Sequence, residues 1–409
     1  MTERIYTERI YYEQAYQTEC SAVVVKIDQI NQHTALLLDR SVFYPTSGGQ
    51  ANDTGKIAEQ AVVDVIVDEQ GALWHLLAHD AIAPTIGQSV DCKIDWARRY
   101  DHMQQHAGQH LISQVFYRLF AYETVSVHFG ESESTLDLDV PAIEAAQLEA
   151  AEDDANQLAY SALPIRAYIV DEADLASIPL RRAPKVSGKI RIVEIDGFDY
   201  SACGGTHTRT TAEILPIKFI KQEKRRNQTR LTFLCGKRAV RDYEEKHRLL
   251  TTIAGRFSTE ITQTVPLIDR LIAQNKELQG TVEALTTQLL RAEAAALYSQ
   301  AEMHNGIRVL TLAESQRDLA AIKTLAQLLT EQPGIIALCA CASGDKATLV
   351  FARSPELQPH MGNLLKSTLQ RFGGNGGGKP EFAQGGGALW EQAQAMLAFA
   401  REQLKIMTG

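Results

Sequence analysis

The chain has no run of eighteen consecutive apolar residues, so nothing in it reads as a membrane-spanning helix. Its opening, MTERIYTERIYYEQ, lacks the apolar stretch of a secretory signal. Cysteine is scarce: six in 409 residues, without the spacing of a disulfide framework. These absences exclude a membrane or disulfide-stapled protein and predict a soluble chain in the reducing cytoplasm. Aromatic residues reach only 7%, within an apolar content of 45% that suits globular cores. At this length one core does not suffice, and about two to four domains are expected.

Positive charge is in deficit overall, with a net −9, which taken alone weighs against a nucleic-acid partner. The distribution reverses that reading. From Arg181 to Arg238 there are fourteen Lys/Arg against five Asp/Glu, whereas residues 123–157 hold ten acids and no Lys or Arg. A basic face on an acidic protein is the pattern of an electrostatic binding surface. Lys218, Lys224, Arg225 and Arg226 are its densest part, the last three at a hairpin tip.

Short apolar runs separated by Asn, Gly and Asp predict a small N-terminal β-barrel over residues 1–95. Residues 96–240 read as a two-layer α+β domain, opened by a proline-free helix over 96–120. Two rows at seven-residue spacing (Ile268, Asn275, Val282, Leu289 and Ala296, and Leu271, Leu278, Leu285 and Ala292), apolar but for Asn275, predict a coiled-coil-like helical linker within 241–304. Asn275 in that seam would fix register, and a homodimer through residues 266–296 is the expected use. Residues 305–409 read as α/β. Within them, eight glycines in 373–387 bracket Lys379 and Gln384, predicting a loop whose amides and lysine meet phosphate or ribose. The fold class is therefore α+β, multidomain.

Two stretches carry chemistry. His106 and His110, four apart on a helix, share one face. In Cys203-Gly-Gly-Thr-His207 two glycines fold the chain so that a thiolate and an imidazole face one point. Together the four are a zinc ligand set, one ion per chain. The residue after His106 is Ala107, not the glutamate general base of a zinc protease helix. A third stretch, Phe43-Tyr-Pro-Thr-Ser-Gly-Gly-Gln50 followed by Asn52-Asp-Thr-Gly55, brings amides, a hydroxyl and a carboxamide to one turn.

In their order, FYPTSGGQ-x-x-D-T-G at 43–55, HxxxH-L at 106–111, CGGTH at 203–207, CGKRA at 235–239 and GGGKPEFAQGGG at 376–387 resemble the free-standing alanyl-tRNA editing proteins of the long type. The likeness extends to the editing and C-terminal parts of alanyl-tRNA synthetase, the last motif being similar to its DHH-associated domain. CGGTH with HxxxH is also similar to the editing domain of threonyl-tRNA synthetase; the SGGQ turn and the glycine-rich motif favour the alanyl branch. A whole synthetase is not expected, because the barrel begins almost at residue 1. The resemblance implies hydrolysis of the ester that joins serine or glycine wrongly to tRNA(Ala). An apolar pocket cannot strongly reject serine, which adds one hydroxyl to alanine, so a second site must remove the error.

Carried over by position, zinc is held by His106, His110, Cys203 and His207. Four protein ligands close a zinc site, whereas catalytic zinc keeps an open position. Either His207 is loosely held or zinc only shapes the pocket. Gly48 and Gly49 would stabilise the oxyanion, with Ser47 and Gln50 positioning the aminoacyl group. His102, one turn before His106, is a partner of the ligands, a proton shuttle or a surface histidine. Gln105, Gln109 and His128 are weaker candidates. Competing readings are a zinc-stabilised tRNA-binding module without catalysis, a deacylase for another aminoacyl-tRNA, and a phosphoesterase. The phosphoesterase needs an Asp-His-His motif, and Asp101-His102-Met103 is the nearest approach.

Overall fold

The computed structural model describes residues 7–184 and 187–408. Lys185, counted in the basic stretch above, lies outside them. The chain divides into two compact units, 1–256 and 257–409.

In the first unit, β1 (Glu19–Ile30), β2 (His33–Leu38), β3 (Gly55–Ile57), β4 (Gln60–Val67), β5 (Leu73–Leu77) and β6 (Ser89–Ile94) close into a barrel in the order β1-β2-β5-β4-β3-β6. Alternation along the strands sends Val24, Leu36, Leu38, Val65, Leu77 and Val90 into its core. His75 is fully buried there. It lies 2.7 Å from Ser41 Oγ through Nε2 and 3.1 Å from Leu36 O through Nδ1.

Helix α1 (Trp96–Phe120) leaves the barrel under an Asp95 cap that accepts from the amides of Ala97 and Arg98. Every residue from 102 to 113 is buried, so the helix is enclosed rather than amphipathic. Arg99, wholly buried, binds it to the FYPTSGGQ loop. It pairs with Asp53 and donates to the carbonyls of Val42 and Ala15. A four-stranded sheet follows, made from β7 (Thr124–Phe129), β8 (Ser134–Leu138), β12 (Ile217–Arg225) and β13 (Gln228–Cys235) in the order β12-β13-β8-β7. Helix α2 (Ala145–Tyr160) packs its Ala151–Ala155–Ala159 stripe into the same core. A separate antiparallel sheet of β9 (Ile165–Asp171), β10 (Lys189–Ile195) and β11 (Asp199–Ala202) delivers the chain to Cys203. Helix α3 (Lys237–Arg256) ends the unit.

In the second unit, α4 (Thr264–Gln300) runs for 37 residues. Its last turns place Leu290 and Ala294 against α5 (Leu319–Thr330) and the sheet beyond. The seam residues Ile268, Leu271, Leu278, Val282, Leu285 and Leu289 are exposed. The seam is thus not the face that packs within the unit. The rest is a six-stranded sheet, β14 (Glu302–His304), β15 (Ile307–Glu314), β16 (Ile335–Ser343), β17 (Lys346–Arg353), β18 (Asn375–Gly378) and β19 (Phe382–Leu389), ordered β14-β15-β16-β17-β19-β18. Helices α6 (Met361–Arg371) and α7 (Ala393–Thr408) cover it.

The glycine-rich stretch corrects the sequence reading. It is not a loop but the β18–β19 hairpin at the sheet edge. Its glycines are required by close approach: a Cβ on Gly376 would stand 2.5 Å from the Gly385 Cα, and the reverse holds equally. Among the described residues no helix is long and apolar enough to cross a membrane.

Candidate metal centre

The ligand atoms of His106, His110, Cys203 and His207 lie within 4.8 Å of one another, brought together from α1 and the turn after β11. Cys203 Sγ is 3.4 Å from His106 Nε2 and 3.8 Å from His207 Nε2. Those separations are close to the edges of a tetrahedron built on ordinary zinc–nitrogen and zinc–sulfur bonds.

The partners of each imidazole fix which nitrogen faces the centre. His106 Nδ1 is 2.9 Å from Gln50 Oε1, an oxygen that can only accept, so Nδ1 carries the proton and Nε2 is left as the ligand atom. His110 Nδ1 is 3.2 Å from Asp199 Oδ2, with the same consequence. Asp199 is held in turn by Arg181 and the Ser201 hydroxyl. Carboxylate or carboxamide partners behind ligand imidazoles are the ordinary support of a metal site. Arg191 fixes the turn itself by donating to the carbonyls of Cys203 and Gly205, each at 2.9 Å. The second glycine of CGGTH is obligatory, since a Cβ on Gly205 would come within 2.1 Å of the His106 ring.

Without an ion the four groups form one coupled cluster, in which the thiol is ionised and His110 keeps a proton that a metal must displace. Burial pushes the Cys203 thiol up, but the His106 and His207 charges, with contacts from His106 and His110, hold it well below its ordinary value. Burial lowers His110, yet Asp199 and Cys203 outweigh that and raise it to about 9. Burial takes His207 down to about 3. The residues present fit a zinc ion on donor type, on spacing and on the bonds that orient them.

Gln50, expected to position an aminoacyl group, is bonded within the protein. It is 1% exposed, donates to Thr206 Oγ1 at 2.7 Å, and accepts from Thr206 N at 3.1 Å as well as facing His106. It is a positioning residue that ties the N-terminal motif to both halves of the cluster. Ser47, Gly48 and Gly49 form the exposed turn before it, closed by paired bonds between Ser47 and Gln50. Phe129 lies between this turn and the cluster. The Gly49 Cα faces the Phe129 ring, whose centroid is 5.0 Å from that of His106. His102 is not a surface histidine. It is 4% exposed, neither ring nitrogen has a hydrogen-bond partner, and burial lowers it to about 4. Gln105 is structural, bonded to both the amide and the carbonyl of Cys235, and Gln109 donates to Ser113. His128 is exposed on β7.

Of the basic residues, Lys218 is half-exposed and pairs with Glu152 at the surface. Lys224, Arg225 and Arg226 are exposed at the β12–β13 hairpin. Lys379 and Gln384 are exposed on the glycine-rich hairpin of the second unit. Asp199, Arg191 and Asp53 were not assigned roles from the sequence. A lone acid or arginine in a strand carries no spacing signal, although Asp53 stands within the motif that follows the SGGQ turn.

Three models of tRNA synthetase-associated domains match parts of the chain: "tRNA synthetases class II (A)" residues 4–98, "Threonyl and Alanyl tRNA synthetase second additional domain" 190–231, and "DHHA1 domain" 306–406. The alanyl-tRNA editing protein AlaX-L of Pyrococcus horikoshii is 28% identical over 401 residues, 94% of each chain. Aarsd1-B of Xenopus laevis, also called an alanyl-tRNA editing protein, is 33% identical over 271 residues, 65% of each. An alanine--tRNA ligase of Methanothrix thermoacetophila is 28% identical over 91% of this chain but only 42% of its own. Over most of its length the chain is thus similar to free-standing alanyl-tRNA editing proteins.

Proposed function

We propose that this chain is a cytoplasmic trans-editing hydrolase that deacylates tRNA(Ala) charged with serine, and with glycine as a second substrate. The observation that carries the reading is the oriented cluster: Gln50 and Asp199 turn His106 and His110 toward Cys203, in a chain whose relatives are named for alanyl-tRNA editing. His106, His110, Cys203 and His207 would hold the zinc ion. Bound there, zinc supplies a positive centre that polarises an ester carbonyl or a water.

The chain's own residues do the rest. Gly48 and Gly49, exposed in the turn after Ser47, offer their amides for the developing oxyanion. His102, buried without a partner one turn from His106, is available to hold a proton near the ester. Lys224, Arg225 and Arg226 form a phosphate-facing tip, and Lys379 with Gln384 a second contact on the C-terminal unit. Specificity for serine over alanine follows if the pocket hydrogen-bonds the serine hydroxyl, because alanine leaves those groups unpaired.

The exposed seam of α4 supports a homodimer through residues 266–296, since apolar residues at heptad spacing find no cover in their own unit.

The test is release of amino acid from Ser-tRNA(Ala), Gly-tRNA(Ala) and Ala-tRNA(Ala). Rapid hydrolysis of the first two with the third spared is expected. Binding of all three without hydrolysis would favour a tRNA-binding module instead.

A further inference from the structure

Two cysteines of the barrel face each other. Cys20 on β1 and Cys92 on β6 are direct partners across an antiparallel pair. The ladder is bonded from Ile94 N to Thr18 O and from Val24 N to Gln88 O, each at 3.0 Å. Alternation between those bonds makes Cys20–Cys92 a hydrogen-bonded pair, with Cα atoms about 5.5 Å apart. That separation is among the commonest across a disulfide. Both side chains point inward, in step with Ala22 and Val24 on one strand and with Val90 and Ile94 on the other. A bond between their sulfurs therefore needs no movement of the backbone.

The two thiols are not alike. Cys20 is half-buried at the strand end, whereas Cys92 is 1% exposed. Cys92 donates a hydrogen bond to Cys20, which lowers the Cys20 thiol and raises that of Cys92. The Val42 amide and the Arg40 charge lower Cys20 further, against its burial, while burial adds to the rise of Cys92. An accessible sulfur with thiolate character thus lies beside a protonated one. The thiolate, not the thiol, is the nucleophile toward peroxides. The other cysteines lack this setting. Cys203 belongs to the metal cluster, and burial pushes up the thiols of Cys235, Cys339 and Cys341.

We infer that Cys20 and Cys92 form an oxidisable dithiol, a modification site at which a hydroperoxide joins the first and last strands of the barrel by a disulfide. The Cys20 sulfur attacks a peroxide oxygen and the O–O bond breaks. The departing oxygen takes a proton, and a sulfenic acid is left on Cys20. The Cys92 sulfur then attacks the Cys20 sulfur. The S–O bond breaks, and the hydroxide leaves as water with the Cys92 proton. Two thiols have given up two electrons, and one hydroperoxide has been reduced to an alcohol and a water. A thiol reductant reverses the bond, so in a reducing compartment the oxidised form is transient. The pair stands at the root of the motif that ends in Gln50: the Val42 amide that meets Cys20 precedes Phe43, and the Val42 carbonyl accepts from Arg99. Neither step draws on the deacylase chemistry.

The full-length chain is treated with equimolar hydrogen peroxide, blocked with iodoacetamide in denaturant, digested with trypsin and read by mass spectrometry. Cleavage at Arg9, Lys26, Lys56 and Lys93 puts Cys20 and Cys92 on separate peptides. Wild type should yield those two peptides joined, and dithiothreitol should part them. In the native protein, before any peroxide, iodoacetamide at neutral pH should alkylate Cys20 at least about tenfold faster than Cys235, Cys339 or Cys341. C92S should stop at the sulfenic acid, trapped on Cys20 by dimedone, and C20S should leave Cys92 unoxidised. Thermal melting checks that both variants are folded. Cys20 and Cys92 recovered unlinked after the peroxide is consumed, or Cys20 joined to another cysteine, would overturn the site. So would alkylation of Cys20 no faster than that of the buried thiols, a result read on wild type alone.

Discussion

The two long helices of this protein invert the usual rule in opposite directions. Helix α1 buries arginine, three glutamines and three histidines among the residues from 99 to 110. Helix α4 exposes leucine, isoleucine and valine along most of its length. A buried polar residue is costly unless it is bonded, and on α1 nearly every one is: Arg99 to Asp53, Gln104 to the Glu213 carbonyl, Gln105 to Cys235, His106 to Gln50, His110 to Asp199. An exposed apolar row has no such excuse inside its own unit. The difference teaches where to look for function: on α1 at the histidine left without a bond, on α4 at the row left without cover.

The largest expected effect breaks the α1 side. Arg99→Ala leaves Asp53 as a buried carboxylate without its cation and should cost about 3–5 kcal/mol, read by urea unfolding. A loss under about 1 kcal/mol would mean that the buried polar residues of α1 are tolerated rather than required.

The same rule extends to His75 in the barrel. Burial lowers it to about 4, while the unfolded side chain titrates near its usual 6.5. A depressed folded value means that the unfolded chain binds the proton first. Stability is therefore full above about pH 6.5 and falls toward pH 4, by about 3 kcal/mol over that window. His75→Gln should flatten this part of the stability–pH curve, and an unaltered slope would refute the assignment.

The smallest effect on stability, and the sharpest on assembly, belongs to α4. Leu278→Lys with Leu285→Lys should change unfolding by less than about 0.5 kcal/mol per monomer, because both side chains are exposed. The proposed dimer predicts a dimer mass for wild type and a monomer mass for the variant in sedimentation. Identical masses would remove the seam from any role in association.

Legibility in the sequence followed the same divide. The ligand set could be read because four residues of rare type stand at spacings that a helix and a glycine turn convert into convergence. The helix over 96–120 could be read because no breaker interrupts it. The glycine-rich segment could not, since glycine has no side-chain periodicity to mark a strand, and what makes it a hairpin is the close approach of Gly376 and Gly385. Gln50 was legible as part of a ligand-like loop, but not its bonds, since only the fold brings Thr206 and His106 to the two ends of its carboxamide. Asp199 and Arg191 were invisible for a simpler reason: their importance lies only in what the fold places beside them.

The most direct measurement is deacylation of Ser-tRNA(Ala) by the purified chain, by chelator-treated and zinc-restored protein, and by Cys203→Ala, with bound zinc quantified in each. The account predicts one zinc per chain in wild type, loss of hydrolysis on chelation, recovery with zinc, and a Cys203→Ala variant that is folded but inactive. Near-normal turnover in Cys203→Ala, or full activity without zinc, would contradict it.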